Sequence, residues 1–225
     1  MNDIKTIDVL DHGFVRLVDS MGNDLSVVNA ARVSFGVEKT EFDKRDERLI
    51  NYLWEHRHTS PFRHAFVKFH IKAPIFVFRQ WQKHQVGCSW NELSGRYVEF
   101  EGDCYNPKVW REQHKNNKQG SHGAIKEQNL ISNAYGSHVL DCLNLYKGMI
   151  KQGVCKEQAR FVLPQSLYTE CFWSCSLQAC LHFLNLREDE HSQWEIQQYA
   201  HSVRELITPL FPVSLSIQKK ENTHD

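Results

Sequence analysis

Between Lys83 and Tyr97 the chain reads KHQVGCSWNELSGRY. Lys83, His84, Gln85, Glu92, Ser94 and Arg96 put an ammonium, an imidazole, an amide, a carboxylate, a hydroxyl and a guanidinium into one short run. Val86, Cys88, Trp90 and Leu93 are interleaved with them, so the run must also pack against something apolar. Its end, Ser94-Gly95-Arg96, combines a hydroxyl, a glycine amide that permits close approach, and a planar donor fork. That set suits a phosphate. The same tripeptide also occurs in ordinary turns, and alone it does not separate the two readings. Arg160 and Arg187 fall near helix ends, where a guanidinium either meets an anion or forms a local ion pair.

Other chemistries have weaker patterns. His56, His58 and His64, and the set Cys171, Cys175, Cys180 and His182, suggest a metal. Neither set completes the tight cysteine pairs or the His-Glu-x-x-His helix of zinc sites. Cysteines packed as small apolar side chains are the expectation instead. Ser94 lacks a Gly-x-Ser-x-Gly elbow. Cys88 lies four residues from His84, but nearness in sequence does not make a catalytic pair. Nothing demands covalent catalysis by the protein.

The composition sets bounds. With 225 residues, 41% of them hydrophobic and 12% aromatic, the chain can build a real core. Lys plus Arg and Asp plus Glu both number 27, so no bulk field draws it to nucleic acid or to an anionic membrane. An anionic ligand must be held by a local cation cluster. MNDIKTIDVL lacks the charged-then-apolar pattern expected of a secretory leader, and no apolar run reaches the ~20 residues of a membrane span. Seven cysteines, an odd number, point to free thiols in a reducing cytoplasm.

The elements that would position these residues follow from periodicity and turn signals. IDVLDHGFVRLVDS reads as two strands around Asp11-His12-Gly13. Asn23 or Asp24 can cap a helix through LSVVNAARV, and a second helix covers about 43–57. FVKFHIK alternates as a half-buried strand. Pro74 opens a helix, IFVFRQWQKH, on which Gln80, Lys83 and His84 share a face. Gly87 and Gly95 mark irregular backbone after it. Residues 112–124 read as an exposed loop. A long helix with Leu130, Ile131, Val139, Leu143, Tyr146 and Ile150 as its stripe ends at Gly153. KEQARFVL is a short helix, LYTECFWSC is extended, and SLQACLHFLNLR is a helix with Leu177, Leu181 and Leu184 inward. Ser192 and Glu195 form a capping-box pattern before a last helix bearing Ile196, Ala200, Val203 and Ile207. One domain over 1–218, with a frayed tail at 219–225, is expected.

Taken together, the pieces resemble one family. RQWQ and the run after it are similar to the signature segment of the flavin-dependent thymidylate synthases, whose pattern is Arg-His-Arg, a short spacer, then Ser-x-Asn-x-x-Ser-x-Arg. Ser89, Asn91, Ser94 and Arg96 match it. The likeness extends in order through DHGFVRLVDSMGNDLS, AARVSF, HTSPFRH, KAPIFVFRQW, ARFVLP, FLNLR and HSQWEIQQYA. The resemblance implies an α+β single domain, with a β-sheet flanked by long helices, in a homotetramer with shared active sites. It implies methylation of dUMP to dTMP, with 5,10-methylenetetrahydrofolate as carbon donor and a hydride from NADPH delivered through FAD.

By position, Gln80, Lys83, Glu92, Ser94, Gly95, Arg96 and Arg160 would surround the nucleotide. Arg187 would contact the uracil and serve catalysis. Ser60, Lys83, His84, Gln85, Glu92, Ser176, Gln178 and His182 would face FAD, with Ser34 and His58 nearby. A shared site would let one side of the 83–97 run pack while the other meets ligand. The chain departs from the family at Lys83-His84-Gln85, which stands for Arg-His-Arg, and in a spacer one residue longer. Lysine keeps the charge but lacks the planar fork. A related C5 alkylation of a pyrimidine nucleotide, such as hydroxymethylation, and a flavin-less nucleotide binder are the alternatives.

Overall fold

Strict apolar–polar alternation in FVKFHIK places that segment in the middle of an antiparallel sheet. The computed structural model describes residues 5–221. In chain order the elements are β1 (Thr6–Val9), β2 (Gly13–Met21), α1 (Asp24–Arg32), α2 (Lys44–Glu55), β3 (Phe66–Pro74), α3 (Ile75–Trp81), β4 (Cys88–Glu92) and β5 (Glu112–Gln113). Then come β6 (Ser121–His122), α4 (Gln128–Lys151), α5 (Lys156–Ala159), β7 (Tyr168–Ser176), α6 (Leu177–Arg187), α7 (Trp194–Ile207) and α8 (Pro212–Glu221). The main sheet runs β1-β2-β3-β7-β4 and every pairing in it is antiparallel.

Register explains the core. Val67, Phe69 and Ile71 of β3 lie opposite Cys175, Trp173 and Cys171 of β7, and all six are buried. Phe69 stacks on Trp173 at 5.6 Å, and Trp81 stacks on Phe183 of α6 at 4.5 Å. Helices α6 and α7 cover this face, with Leu177, Leu181 and Leu184 and then Ile196, Ala200, Val203 and Ile207 all buried, as their spacing predicts. The other face is polar. His70 bridges Arg16 (2.6 Å) and Glu170 (2.7 Å) and stacks on Phe172 at 4.8 Å. Helices on one face of an antiparallel sheet make this an α+β architecture.

Several local expectations need correction. α3 ends at Trp81 rather than His84, and residues 82–84 form a turn. The segment after Gly87, expected to be irregular, holds a five-residue strand at the sheet edge. Residues 112–124 are exposed but contain the small β5–β6 hairpin. KEQARFVL divides into α5 and a 3₁₀ turn, Arg160–Val162. On α4 only Tyr146 is buried, and Leu130 and Ile131 are exposed. At 100° per residue Leu130 sits about 160° around the helix from Tyr146, so the two cannot share a stripe.

The capping box of α7 does not form. Gln193 is the N-cap and its side chain bonds none of the helix's first amides, and Ser192 Oγ donates to the Leu186 carbonyl at 2.6 Å. Asn23 does cap α1, exchanging bonds with Ser26 at 3.2 and 3.1 Å. Asp24 has a different task. Its carboxylate, 5% exposed, accepts from Val213 N (2.7 Å), Ser214 N (3.2 Å) and Ser214 Oγ (2.6 Å) at the start of α8. α8 follows the last helix expected from the sequence and opens on Pro212, a first-turn proline. The helix takes in 219–221 of the expected tail, and 222–225 lie outside the described residues.

Asp24→Ala leaves three donors at the α8 terminus without their acceptor. It is expected to lower stability by about 1–3 kcal/mol in urea denaturation. Glu38→Ala, on an exposed loop, should change it by no more than about 0.5 kcal/mol. Equal effects would contradict the capping role.

Candidate active site

The turn after α3 and the end of α6 converge on one pair of side chains. Arg187, the last residue of α6, donates from Nε to His84 Nε2 at 3.0 Å and from a terminal nitrogen to the Gln80 carbonyl at 3.4 Å. His84 can accept that bond only with Nε2 unprotonated. Its surroundings enforce this: burial, then the Arg187 charge, then His182 push its pKa down to about 4. Burial also lowers the Arg187 pKa. Lys83, His84, Gln85, His182 and Arg187 line a cavity of about 200 Å³. It has two permanent cations and no described carboxylate in its wall, so it favours an anionic or electron-rich ligand.

Gly87 carries the chain out of this turn at φ +73°, a conformation that favours glycine. A Cβ there would stand 3.0 Å from Ser176 Oγ, so the turn rests directly on the start of α6. Ser176 caps α6 by accepting from Ala179 N at 3.3 Å. From Gly87 the chain enters β4, whose Trp90 stacks on Trp173 at 5.5 Å while Ser89 and Asn91 face away exposed. The mixed composition of the run is thus the alternation of a half-buried edge strand.

At the far end of β4, Glu92, Ser94, Gly95 and Arg160 line a second cavity, of about 320 Å³, with Ile75, Leu163 and Leu167. Gly95 is buried, and a Cβ would come within 2.5 Å of the Phe100 ring and 3.4 Å of Arg160 Cδ. Ser94 Oγ accepts from Arg96 N at 3.3 Å, closing the tripeptide into a turn. The Arg96 side chain leaves the cavity and pairs with Glu157 at 3.2 Å, both groups exposed.

Most of the sequence candidates therefore fall into three places. Lys83, His84, Gln85, His182 and Arg187 meet at one end of β4; Glu92, Ser94, Gly95 and Arg160 meet at the other. The strand between them spans roughly 14 Å at about 3.4 Å per residue. Ser34, His58 and Ser60 are exposed on the turns after α1 and α2 and line neither cavity. Gln178 is half-buried on α6. A larger concavity, about 630 Å³ between the β1–β2 turn and α7, contains none of these candidates.

Sequence reasoning missed the support behind Gln80. The Gln80 amide donates to Gln193 Oε1, and Gln193 donates to Glu195 at 2.9 Å. Glu195, 3% exposed, also accepts from Arg111 at 2.8 and 3.0 Å and from Tyr105 Oη at 3.2 Å. These partners are far apart in sequence, where Glu195 shows only a capping-box pattern with Ser192. Among the described residues no group of three or more His, Cys, Asp or Glu is placed to hold a metal ion. Nor is any described helix long and apolar enough to cross a membrane.

Comparison with known proteins gives concordant matches. A family model described as thymidylate synthase complementing protein matches residues 16–213. A flavin-dependent thymidylate synthase of Thermus thermophilus is 46% identical over 216 residues, covering 93% of this chain and 76% of the relative. One from Kosmotoga olearia is 46% identical over 213 residues, covering 92% and 90%. Among solved structures, a UMP/dUMP methylase, PolB, from Streptomyces cacaoi bound with 5-Br dUMP superposes with a TM-score of 0.85. It is 31% identical, with 95% of this chain and 97% of that one covered.

The His84–Arg187 bond predicts a pH dependence. Folded His84 has a pKa near 4, below the unfolded value of about 6.5, so between those values the unfolded chain binds the extra proton. Stability contributed by neutral His84 is complete above about pH 6.5 and is lost as pH falls through about 4. His84→Gln keeps an acceptor and removes the titration. Its urea midpoint should decline less steeply across that window than that of the wild type. Parallel declines would contradict the assignment.

Proposed function

The chain belongs to the flavin-dependent thymidylate synthases, and we propose that it converts dUMP to dTMP with FAD as its flavin, NADPH as reductant and 5,10-methylenetetrahydrofolate as carbon donor. The observation that carries this reading is the pair of sites held at the two ends of β4. One end offers cations without carboxylates, and the other a hydroxyl, a buried glycine and a guanidinium.

In this reading Ser94 Oγ, the Gly95 backbone, Arg96 and Arg160 hold the dUMP phosphate. Arg96 exchanges its exposed Glu157 pair for that anion, a loss worth little because surface ion pairs contribute about 0–1 kcal/mol. Gln80, Lys83 and Glu92 surround the rest of the nucleotide. Arg187 sits beside the uracil, favouring ionisation at N3 and so raising electron density at C5. Its Nε is already held by neutral His84, so the guanidinium stays oriented while charge develops.

The 200 Å³ cavity fits part of a flavin nucleotide: Lys83 supplies a cation for the pyrophosphate, and Gln85 and His182 supply polar edges. Ser60, Ser176, Gln178, Ser34 and His58 are proposed for other parts of FAD. When bound, the reduced flavin supplies the hydride that completes the methyl group. The chain's own residues hold the pyrimidine in place and stabilise its negative charge.

Two features support a homotetramer with shared sites. The halves of the site are separated by the length of β4. α4 also exposes Leu130, Leu140 and Leu145, apolar side chains suited to packing against another copy. The reducing cytoplasm remains the proposed location, supported by seven unbridged cysteines.

The purified, flavin-loaded protein is expected to form dTMP from dUMP when given NADPH and 5,10-methylenetetrahydrofolate, and to sediment as four chains. Arg160→Ala should raise the KM for dUMP about 10- to 100-fold with less effect on kcat. Arg187→Ala should lower kcat about 100-fold or more. No dTMP from loaded wild-type protein would overturn the activity, and a near-normal kcat for Arg187→Ala would overturn that residue's role.

A further inference from the structure

Strands β4 and β7 place Cys88 directly opposite Cys175. The flanking backbone bonds, Ser176 N to Gly87 O at 3.0 Å and Leu93 N to Glu170 O at 2.8 Å, fix which kind of pair this is. Bonds one residue beyond a facing pair mark it as non-hydrogen-bonded, the kind whose side chains approach most closely, with Cα atoms about 4.5 Å apart. A disulfide spans Cα separations of about 4.4–6.8 Å. Cys88 Sγ donates to the Val86 carbonyl at 3.7 Å, and Cys175 facing it is fully buried. Cys88 is half-buried and reachable from the edge of the sheet, whereas Cys175 and Cys180 are buried.

We propose that Cys88 and Cys175 form a two-thiol oxidation site, in which a hydroperoxide oxidises Cys88 and Cys175 then closes a cross-strand disulfide. The proposal rests on strand register and on the thiols themselves, independently of the catalytic reading. The environment selects Cys88 as the reacting thiol. The neighbouring Cys175 thiol holds its pKa down at about 7, against the opposing effect of burial. Burial raises Cys175 well above the usual thiol range, which leaves it the protonated, resolving partner.

The chemistry balances with the hydroperoxide as the only oxidant. The Cys88 thiolate attacks one peroxide oxygen, the O–O bond breaks, and the leaving oxygen takes up a proton, giving a sulfenic acid. Cys175 sulfur then attacks the sulfenic sulfur. The S–O bond breaks as S–S forms, and the Cys175 proton leaves with the hydroxide as water. Two thiols lose two electrons, and the peroxide bond gains them. The bridge would lock β4 to β7 beside the Gly87 turn, between the two halves of the site.

The test uses the full-length protein, hydrogen peroxide, alkylation of the remaining thiols, and peptide mapping without reductant. The expected product is a linked peptide pair joining Cys88 to Cys175, reversed by dithiothreitol and formed before the exposed Cys155 is modified. In Cys175→Ser, Cys88 should stop at the sulfenic acid and be captured by dimedone. In Cys88→Ser, Cys175 and Cys180 should stay reduced at the same dose. If either variant fails to fold, the wild-type map decides alone. Prior oxidation of Cys155, a bridge from Cys88 to a different cysteine, or overoxidation of Cys88 without a bridge would overturn the proposal.

Discussion

The pairing of β4 with β7 is the constraint on which the rest of the site depends. Five residues at an open sheet edge carry Trp90 into the aromatic stack with Trp173, and that contact sets which side chains of the run point inward. A one-residue slip would turn Ser89 and Asn91 to the core and expose Trp90 and Cys88. The same register fixes where the two ends of the strand emerge. Lys83, His84 and Gln85 are held above α6, and Ser94-Gly95 is held against Phe100 and Arg160.

At the α6 end, two groups that could both carry charge are kept apart by protonation state. Arg187 stays cationic, and His84, pressed by burial and by that cation, stays neutral and accepts its Nε–H. A protonated His84 would repel the guanidinium and offer it no lone pair. A preorganised cation of this kind acts on developing negative charge without reorienting, which is the property a pyrimidine methylation needs.

Much of this was legible in the sequence, for reasons particular to each segment. FVKFHIK, the leucines of α6 and the apolar repeat of α7 have strong periods, and their buried faces came out as read. Of the tripeptide Ser94-Gly95-Arg96, Ser94 and Gly95 line one cavity with Arg160, whereas Arg96 pairs with Glu157 on the surface, a partner the local sequence does not show. β4 was not legible, because glycines at both ends and dense polarity looked like irregular backbone, and only β7, some eighty residues later, supplies the partner. Glu195 looked like a helix cap because its bonds to Arg111 and Tyr105 are long-range. Asp24 was ambiguous for the same reason: its partners, Val213 and Ser214, lie at the other end of the chain. Leu130 and Ile131 of α4 were assigned inward because hydrophobicity alone does not tell a core face from an outer one.

The homotetramer with shared sites proposed above implies that the two ends of β4 serve different active sites, each completed by another copy of the chain. Co-expression of Arg187→Ala and Arg160→Ala chains tests it most directly, by the dTMP-forming activity of the purified mixed assemblies. If each site unites Arg187 of one copy with Arg160 of another, random assembly restores both arginines in about a quarter of the sites. Activity should then rise well above that of either variant alone, toward about a quarter of wild type. If both arginines of a site came from one chain, no intact site could form. Activity that stayed at the level of the separate variants would contradict the account.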